Sequence, residues 1–245
     1  MAGIEPATDG LRNRCSTTEL HWHPQPSIIR RNGLVASPFA VFSSQSRAMN
    51  DATSTQLAAP GAGIPAAEIA AGRLMFAALR AFKTPEWATK HFHREAALMA
   101  RAARDLPPHA ANTQVLIPRL AGIEDSSRNW SVLMTLDHLA IVDRMITEII
   151  DHLAGERLYI RSVAIAELKP MPHQTLETIS NFTKATQRYV ERVSRIANLQ
   201  SATRHRHPWF GPLDAYGWHL LAAVHHTIHR RQVQRIIQYA NKKGK

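Results

Sequence analysis

From residue 65 to about residue 240 apolar positions recur at helical spacing, and Pro, Gly and capping residues cut the run into helix-sized segments. The first, AAEIAAGRLMFAALRAF after Pro65, is rich in Ala, the strongest helix former, and predicts an apolar face of Ile69, Leu74, Met75, Ala78, Leu79 and Phe82. Thr84 and Pro85 end it and open a second helix over 86–105, with Pro at the first helical position and Glu86 in the first turn. Leu106, Pro107 and Pro108 stop that helix, and 109–126 reads as a loop. Asp125, Ser126 and Ser127 offer a cap for a helix over 127–154, whose stripe is Met134, Ile141, Val142, Met145, Ile149 and Leu153. Residues 156–171 read as a connection with a short extended segment at 158–165. Pro172 then opens a helix of about 28 residues whose apolar side carries Leu176, Ile179, Phe182, Tyr189, Val193 and Ile196. The loop RHRHPWFGPLDAYGW follows, and Asp214 caps a last helix that runs to Tyr239 or Ala240.

No segment alternates over several strands, so the predicted class is all-α. There is no internal repeat, Gly-rich phosphate loop, GxSxG or heptad seam, and no apolar run approaches the roughly 20 residues that span a bilayer. Residues 1–48 lack any sustained period and mix Gly, Pro, Ser and Asn, a composition of disordered type. Gly3, Ile4, Glu5 and Pro6 also match the translation of a tRNA T-arm read on the opposite strand, and Met49 offers a later start. A misplaced start, a disordered arm and a secretory signal around Arg30 and Arg31 account for this stretch, in that order; Pro38 interrupts the apolar run that a signal needs. The resulting division is 1–48 as extension or mis-called start, 49–84 as linker and accessory helix, 85–241 as helical bundle and 242–245 as basic tail.

Composition narrows the chemistry. Hydrophobic residues make up 44% and charged residues 20%, ordinary values for a globular protein. Cys15 is the single cysteine, which excludes an intramolecular disulfide and a thiolate cluster and fits a reducing, cytoplasmic setting. The net charge of +11 suggests nucleic acid, but the bases are scattered beside acids, as at Glu191-Arg192, and no recognition-helix motif or aromatic stacking pattern accompanies them. Solvated helix faces explain the charge better.

Any metal site must then use imidazole and carboxylate. His225 and His229 are one turn apart, about 40° around the helix and roughly 6 Å along it, so two rings can converge on one cation. Leu221, Ile228, Gln232 and Ile236 share their face, which marks it as buried. His138 sits in the apolar stripe of the helix over 127–154. Alone it reads as a hydrogen-bonded core histidine. Three inward imidazoles on two helices are costly to bury without a shared partner, and a divalent metal supplies one. His226 projects to the flank with His219 and Arg230; pairing it with His229 is the rival ligand choice. His152 lies about 21 Å along the helix from His138 and reads as a helix-end residue. His91, His93 and His173 read as surface groups. His207 is a weak catalytic candidate, balanced by a role as a cap within its loop. Trp209 and Phe210 read as core anchors, Trp218 as bundle packing, and Asp137 as facing away from the site.

The segments WSVLMTLDHLAIVDRMI (130–146) and HPWFGPLDAYGWHLLAAVHHTIHRRQ (207–232) together resemble the DinB/YfiT-like superfamily of metal-binding four-helix bundles. The resemblance covers roughly residues 85–240. Its pattern, one His in an HL step and HxxxH before R and Q, carries over to His138, His225 and His229 as ligands, with Gln232 as the nearby polar residue. Arg231 departs from the small residue common at that point. The resemblance implies an up-down-down-up bundle with a long crossover at 155–171. It also implies a zinc or nickel ion with an open position, and a transferase using a low-molecular-weight thiol or a hydrolase, acting on a small-molecule substrate. A non-catalytic stress-response or binding module with a structural metal is the alternative, and a homodimer stays open.

Overall fold

The computed structural model describes residues 57–161 and 165–243. The readings made for residues 1–48, and for the middle of the extended segment at 158–165, lie outside the described residues. The described chain is all-α, a four-helix bundle with an additional helix before it. Its helices are α1 (Ala66–Phe82), α2 (Pro85–Arg104), α3 (Pro108–Asn112), α4 (Val132–Ala154), α5 (Glu177–Ser194) and α6 (Ala215–Lys243). Two antiparallel strand pairs complete it: β1 (Val115–Leu116) with β2 (Asn129–Trp130), and β3 (His205–His207) with β4 (Gly211–Leu213).

Caps set the helix starts. Thr84 accepts from the Trp87 amide at 3.3 Å, with Pro85 at the first helical position. Asp214 accepts from the Gly217 amide at 2.7 Å. For α4 the cap is Ser131, which accepts from the Met134 amide at 3.1 Å, and not the 125–127 signal. Those residues form a 3-10 turn instead, because β2 intervenes and pairs Trp130 with Val115. The predicted loop at 109–126 likewise holds α3 and β1. The helix expected from Pro172 begins only at Glu177. Ahead of it the Gln174 side chain donates to Asp137 and to the Met171 carbonyl, local bonds that compete with a helical start.

Helices α2, α4, α5 and α6 form the bundle, each packed on two neighbours. Along α2 and α6 partner numbers rise together, from Thr89 with His219 to Glu95 with Arg230, so these helices are parallel. From Ser127 with Gln232 to Asp143 with His226 the numbers run oppositely, so α4 opposes α6. Tyr189 with His219 and Phe182 with His226 do the same for α5. The path is up-down-down-up, and the connection at 155–176 is the crossover joining the two parallel helices α4 and α5. Phe92, Tyr189, Trp218 and Ile146 fill one half of the core; Met99, Leu136, Phe182 and Ile236 fill the other.

Helix α1 departs from its predicted orientation. Leu74 and Phe82, placed on its apolar stripe, are 76% and 83% exposed, whereas Phe76 is buried against Phe210 at 5.0 Å between ring centroids. The docked face carries Glu68, Gly72, Phe76 and Arg80 at four-residue steps. Glu68 pairs with Arg119, and Arg80 makes two bonds of 2.6 and 2.5 Å to Asp214. Gly217 permits that fork, since a Cβ there would lie 2.8 Å from the Arg80 guanidinium. Charge-assisted bidentate contacts outweigh a modest apolar stripe on a helix at the edge.

This burial predicts opposite outcomes for two phenylalanines. Phe92→Ala should cost about 3–5 kcal/mol in urea unfolding, and Phe82→Ala no more than about 0.5 kcal/mol. Comparable losses would mean that α1 buries the stripe read from its periodicity.

Candidate metal centre

His138 of α4 and His225 and His229 of α6 come together inside the bundle, each offering a ring nitrogen within 4.8 Å of the others. Nε2 of His225 lies 3.0 Å from Nε2 of His229 and 3.4 Å from Nε2 of His138. Trp130 walls the cluster, stacked parallel to His229 and tilted against His138. Among the described residues no carboxylate or thiolate joins the group.

The outer nitrogens fix the chemistry of the inner ones. Nδ1 of His138 is 2.6 Å from the Leu168 carbonyl, which can only accept, so this nitrogen carries the proton and Nε2 presents a lone pair. Gln232 donates its amide to the Ser127 carbonyl at 2.7 Å, which turns its oxygen toward Nδ1 of His229, also at 2.7 Å. His229 therefore donates there, and its Nε2 too is a bare lone pair. His225 can offer one proton to one of these neighbours, so at least one lone pair is left facing the others. A cation at that point would take up all three inward lone pairs, with Nδ1 of His225 left buried and without a partner among the described residues. Burial, the dominant cause, pushes His138 down to about 4 and His225 and His229 well below the usual histidine range. Each ring is thus held neutral, the state that binds metal.

The remaining histidines divide differently from expectation. His226 is not a flank residue: it is wholly buried, with Nε2 3.0 Å from both carboxylate oxygens of Asp143 and its ring against Phe92. The rival pairing with His229 therefore loses its second ligand to Asp143. The signal was available in LLAAV at 220–224, a continuous apolar run that marks α6 as buried on nearly every side. His91 is half-buried and bonded to Thr227 at 2.7 Å, not a free surface group. His93 and His173 are exposed. His219 is fully buried between Tyr189 and Thr89, both at 2.9 Å. Sequence reasoning missed the polar layer that it forms.

His207 is the last residue of β3, paired with Gly211 across the hairpin, and its Nδ1 accepts from the amides of Trp209 and Phe210 in the turn at 3.2 and 3.3 Å. That is the loop-capping geometry, with the ring packed against Trp218. Gly211, at φ 74°, closes the turn in a conformation that favours glycine. Trp218 is buried, and Asp137 accepts from Gln174 and is not part of the group that the three rings form.

No family model matches the chain, and no curated protein does. Among solved structures, the crystal structure of TT2238, a four-helix bundle protein, is similar at 21% identity, covering 62% of this chain and 98% of that one with a TM-score of 0.45.

Two stability predictions arise from these buried groups. Asp143→Ala strands His226 and should destabilise by about 3–5 kcal/mol, while Asp143→Leu combined with His226→Phe should recover most of the loss. Additive single-site losses in that cycle would sink the pairing. Burial also holds His207 and His219 near 4 in the fold against 6.5 unfolded. The unfolded chain then binds more protons between these values, so stability is full above pH 6.5 and falls as pH drops toward 4. Urea midpoints measured from pH 7 to pH 4 should show that decline, and a flat profile would contradict it.

Proposed function

We propose that the protein binds one divalent metal ion through Nε2 of His138, His225 and His229 and uses an open coordination position for chemistry on a small molecule. The observation that carries this reading is the tautomer argument: the Leu168 carbonyl and Gln232 force two bare lone pairs toward a third imidazole in a buried, neutral pocket. Imidazole sets of this kind suit zinc or nickel. The DinB/YfiT-like resemblance points the same way.

Three neutral ligands leave the ion its full positive charge and room for at least one more donor, so it would acidify a water or thiol held there. The chain's own contribution is orientation. Leu168 and Gln232 lock two rings, Trp130 excludes water from one side, and the four-residue spacing on α6 sets the bite of the pair. On this reading the protein is a metal-dependent enzyme of the thiol-transferase or hydrolase type.

Calorimetric titration with zinc should give one site per chain, and His→Ala at any of the three positions should abolish it. His226→Asn should retain stoichiometric binding, because that ring faces Asp143. Zinc at a hundredfold excess over its Kd should add about 2.7 kcal/mol to the unfolding free energy. A millimolar small thiol should shift the visible bands of the cobalt-substituted protein. Absence of that shift argues for water chemistry in place of thiol transfer, and failure to bind any of zinc, nickel or cobalt refutes the site.

A further inference from the structure

Beyond the three rings, a buried polar ring-closure joins the outer ligand contacts to one another. Lys169 follows the residue whose carbonyl holds His138. Its ammonium donates to Ser127 Oγ at 2.9 Å, Ser126 Oγ at 2.9 Å and Glu124 Oε2 at 3.0 Å, using all three protons. Ser127 in turn gives its carbonyl to Gln232, which holds His229. The path thus runs from His138 through Leu168, Lys169, Ser127 and Gln232 to His229. It crosses from the connection after α4 to the turn before α4 and on to α6.

This arrangement is costly by itself. The Lys169 side chain is 18% exposed and that of Glu124 5%, and Glu124 Oε1 is buried without a partner. The ammonium lies 5.4 Å from the centre of the Trp130 ring, whose indole also packs against His138 and His229. A cation one indole away from a metal site repels the ion, whatever else it does there. The described part of the crossover holds one short 3-10 turn, Ile165–Leu168, closed by the Lys169 amide on the Ala166 carbonyl at 3.2 Å. Such a turn does not by itself anchor the segment to the bundle, and the Leu168 carbonyl must be placed to within a hydrogen bond. Lys169 supplies that fixation, with Glu124 offsetting its charge.

We infer that Lys169, held by Glu124, Ser126 and Ser127, is the positioning residue that clamps the crossover so that the Leu168 carbonyl orients His138 for metal binding. The inference rests on the metal reading above. Outer contacts of this kind are worth about 10- to 100-fold in metal affinity.

The test compares zinc Kd, the cobalt visible spectrum and metal-free melting in the wild type and in variants. Lys169→Met paired with Glu124→Gln removes the ion pair without stranding a charge. It should fold, melt near the wild type without metal, weaken zinc by about 10- to 100-fold and alter the cobalt bands. Lys169→Arg should recover part of the affinity. Ser127→Ala removes a single acceptor and should weaken zinc roughly three- to tenfold, the worth of one net hydrogen bond. That variant decides the matter if the double variant does not fold. Wild-type affinity and spectrum in a folded double variant, or in Ser127→Ala where the double variant does not fold, overturn the clamp and leave the metal reading intact. A wild type that binds no metal overturns both.

Discussion

Two ring nitrogens with lone pairs, pressed toward a third inside a water-poor bundle, cannot satisfy one another. Neutral His138 and His229 have each given their proton to an acceptor on the far side of the ring, so what they present inward is electron density alone. Most of the architecture around them serves to hold this unfavourable convergence. The antiparallel packing of α4 on α6 brings the rings together, and the up-down-down-up path makes a long crossover necessary. That crossover then passes over His138 and provides its acceptor. A simple up-down-up-down bundle would have no such segment there, so chain path and site geometry are linked.

The bundle interior is more polar than its apolar core alone suggests. Asp143 with His226, His219 with Tyr189 and Thr89, and Glu95 with Arg230 lie in successive layers beside the three rings. Each pair joins different helices, and each is satisfied only at one axial offset. A helix sliding by one turn would leave a carboxylate or an imidazole buried without a partner, a penalty larger than most packing defects. These pairs add little net stability after desolvation, but they select one register for α2, α4, α5 and α6. The three nitrogens need that selection, because a one-turn slip moves a ligand by more than 5 Å.

What the sequence makes legible follows from period. The five long helices and their order are written in apolar spacing, and the face shared by His225 and His229 is a consequence of 3.6 residues per turn. His138 is readable because it stands inside an apolar stripe. Leu168 and Lys169 are not readable in this way: they act from a stretch with no period, and one acts through a backbone carbonyl that carries no side-chain signature. The orientation of α1 is hidden for a related reason. Its docked face is chosen by Arg80 meeting Asp214 and Glu68 meeting Arg119, contacts across 134 and 51 residues of chain that outvote its own apolar pattern. His226 was misplaced because a flank position on a surface helix is a buried position on a helix packed against several others.

The net charge of +11 has the same lesson in electrostatic form. A count of bases says nothing about where their fields go. Arg80, Arg94, Arg119, Arg128, Lys169, Arg192 and Arg230 are each bound to a carboxylate, and several of those carboxylates are buried. The charges of Arg80, Arg94, Arg230 and Lys169 are spent locally on Asp214, Glu95 and Glu124, which could not remain ionised in the interior unpaired. Burial raises the affinity of each of these acids for a proton and the adjacent base reverses it, so Glu95, Glu124 and Asp214 are held below the usual carboxylate range. These ion pairs lock α1, the 124–127 turn and the crossover around the histidine cluster, but seven bases on six carboxylates nearly cancel, so the greater part of the +11 excess resides on other residues.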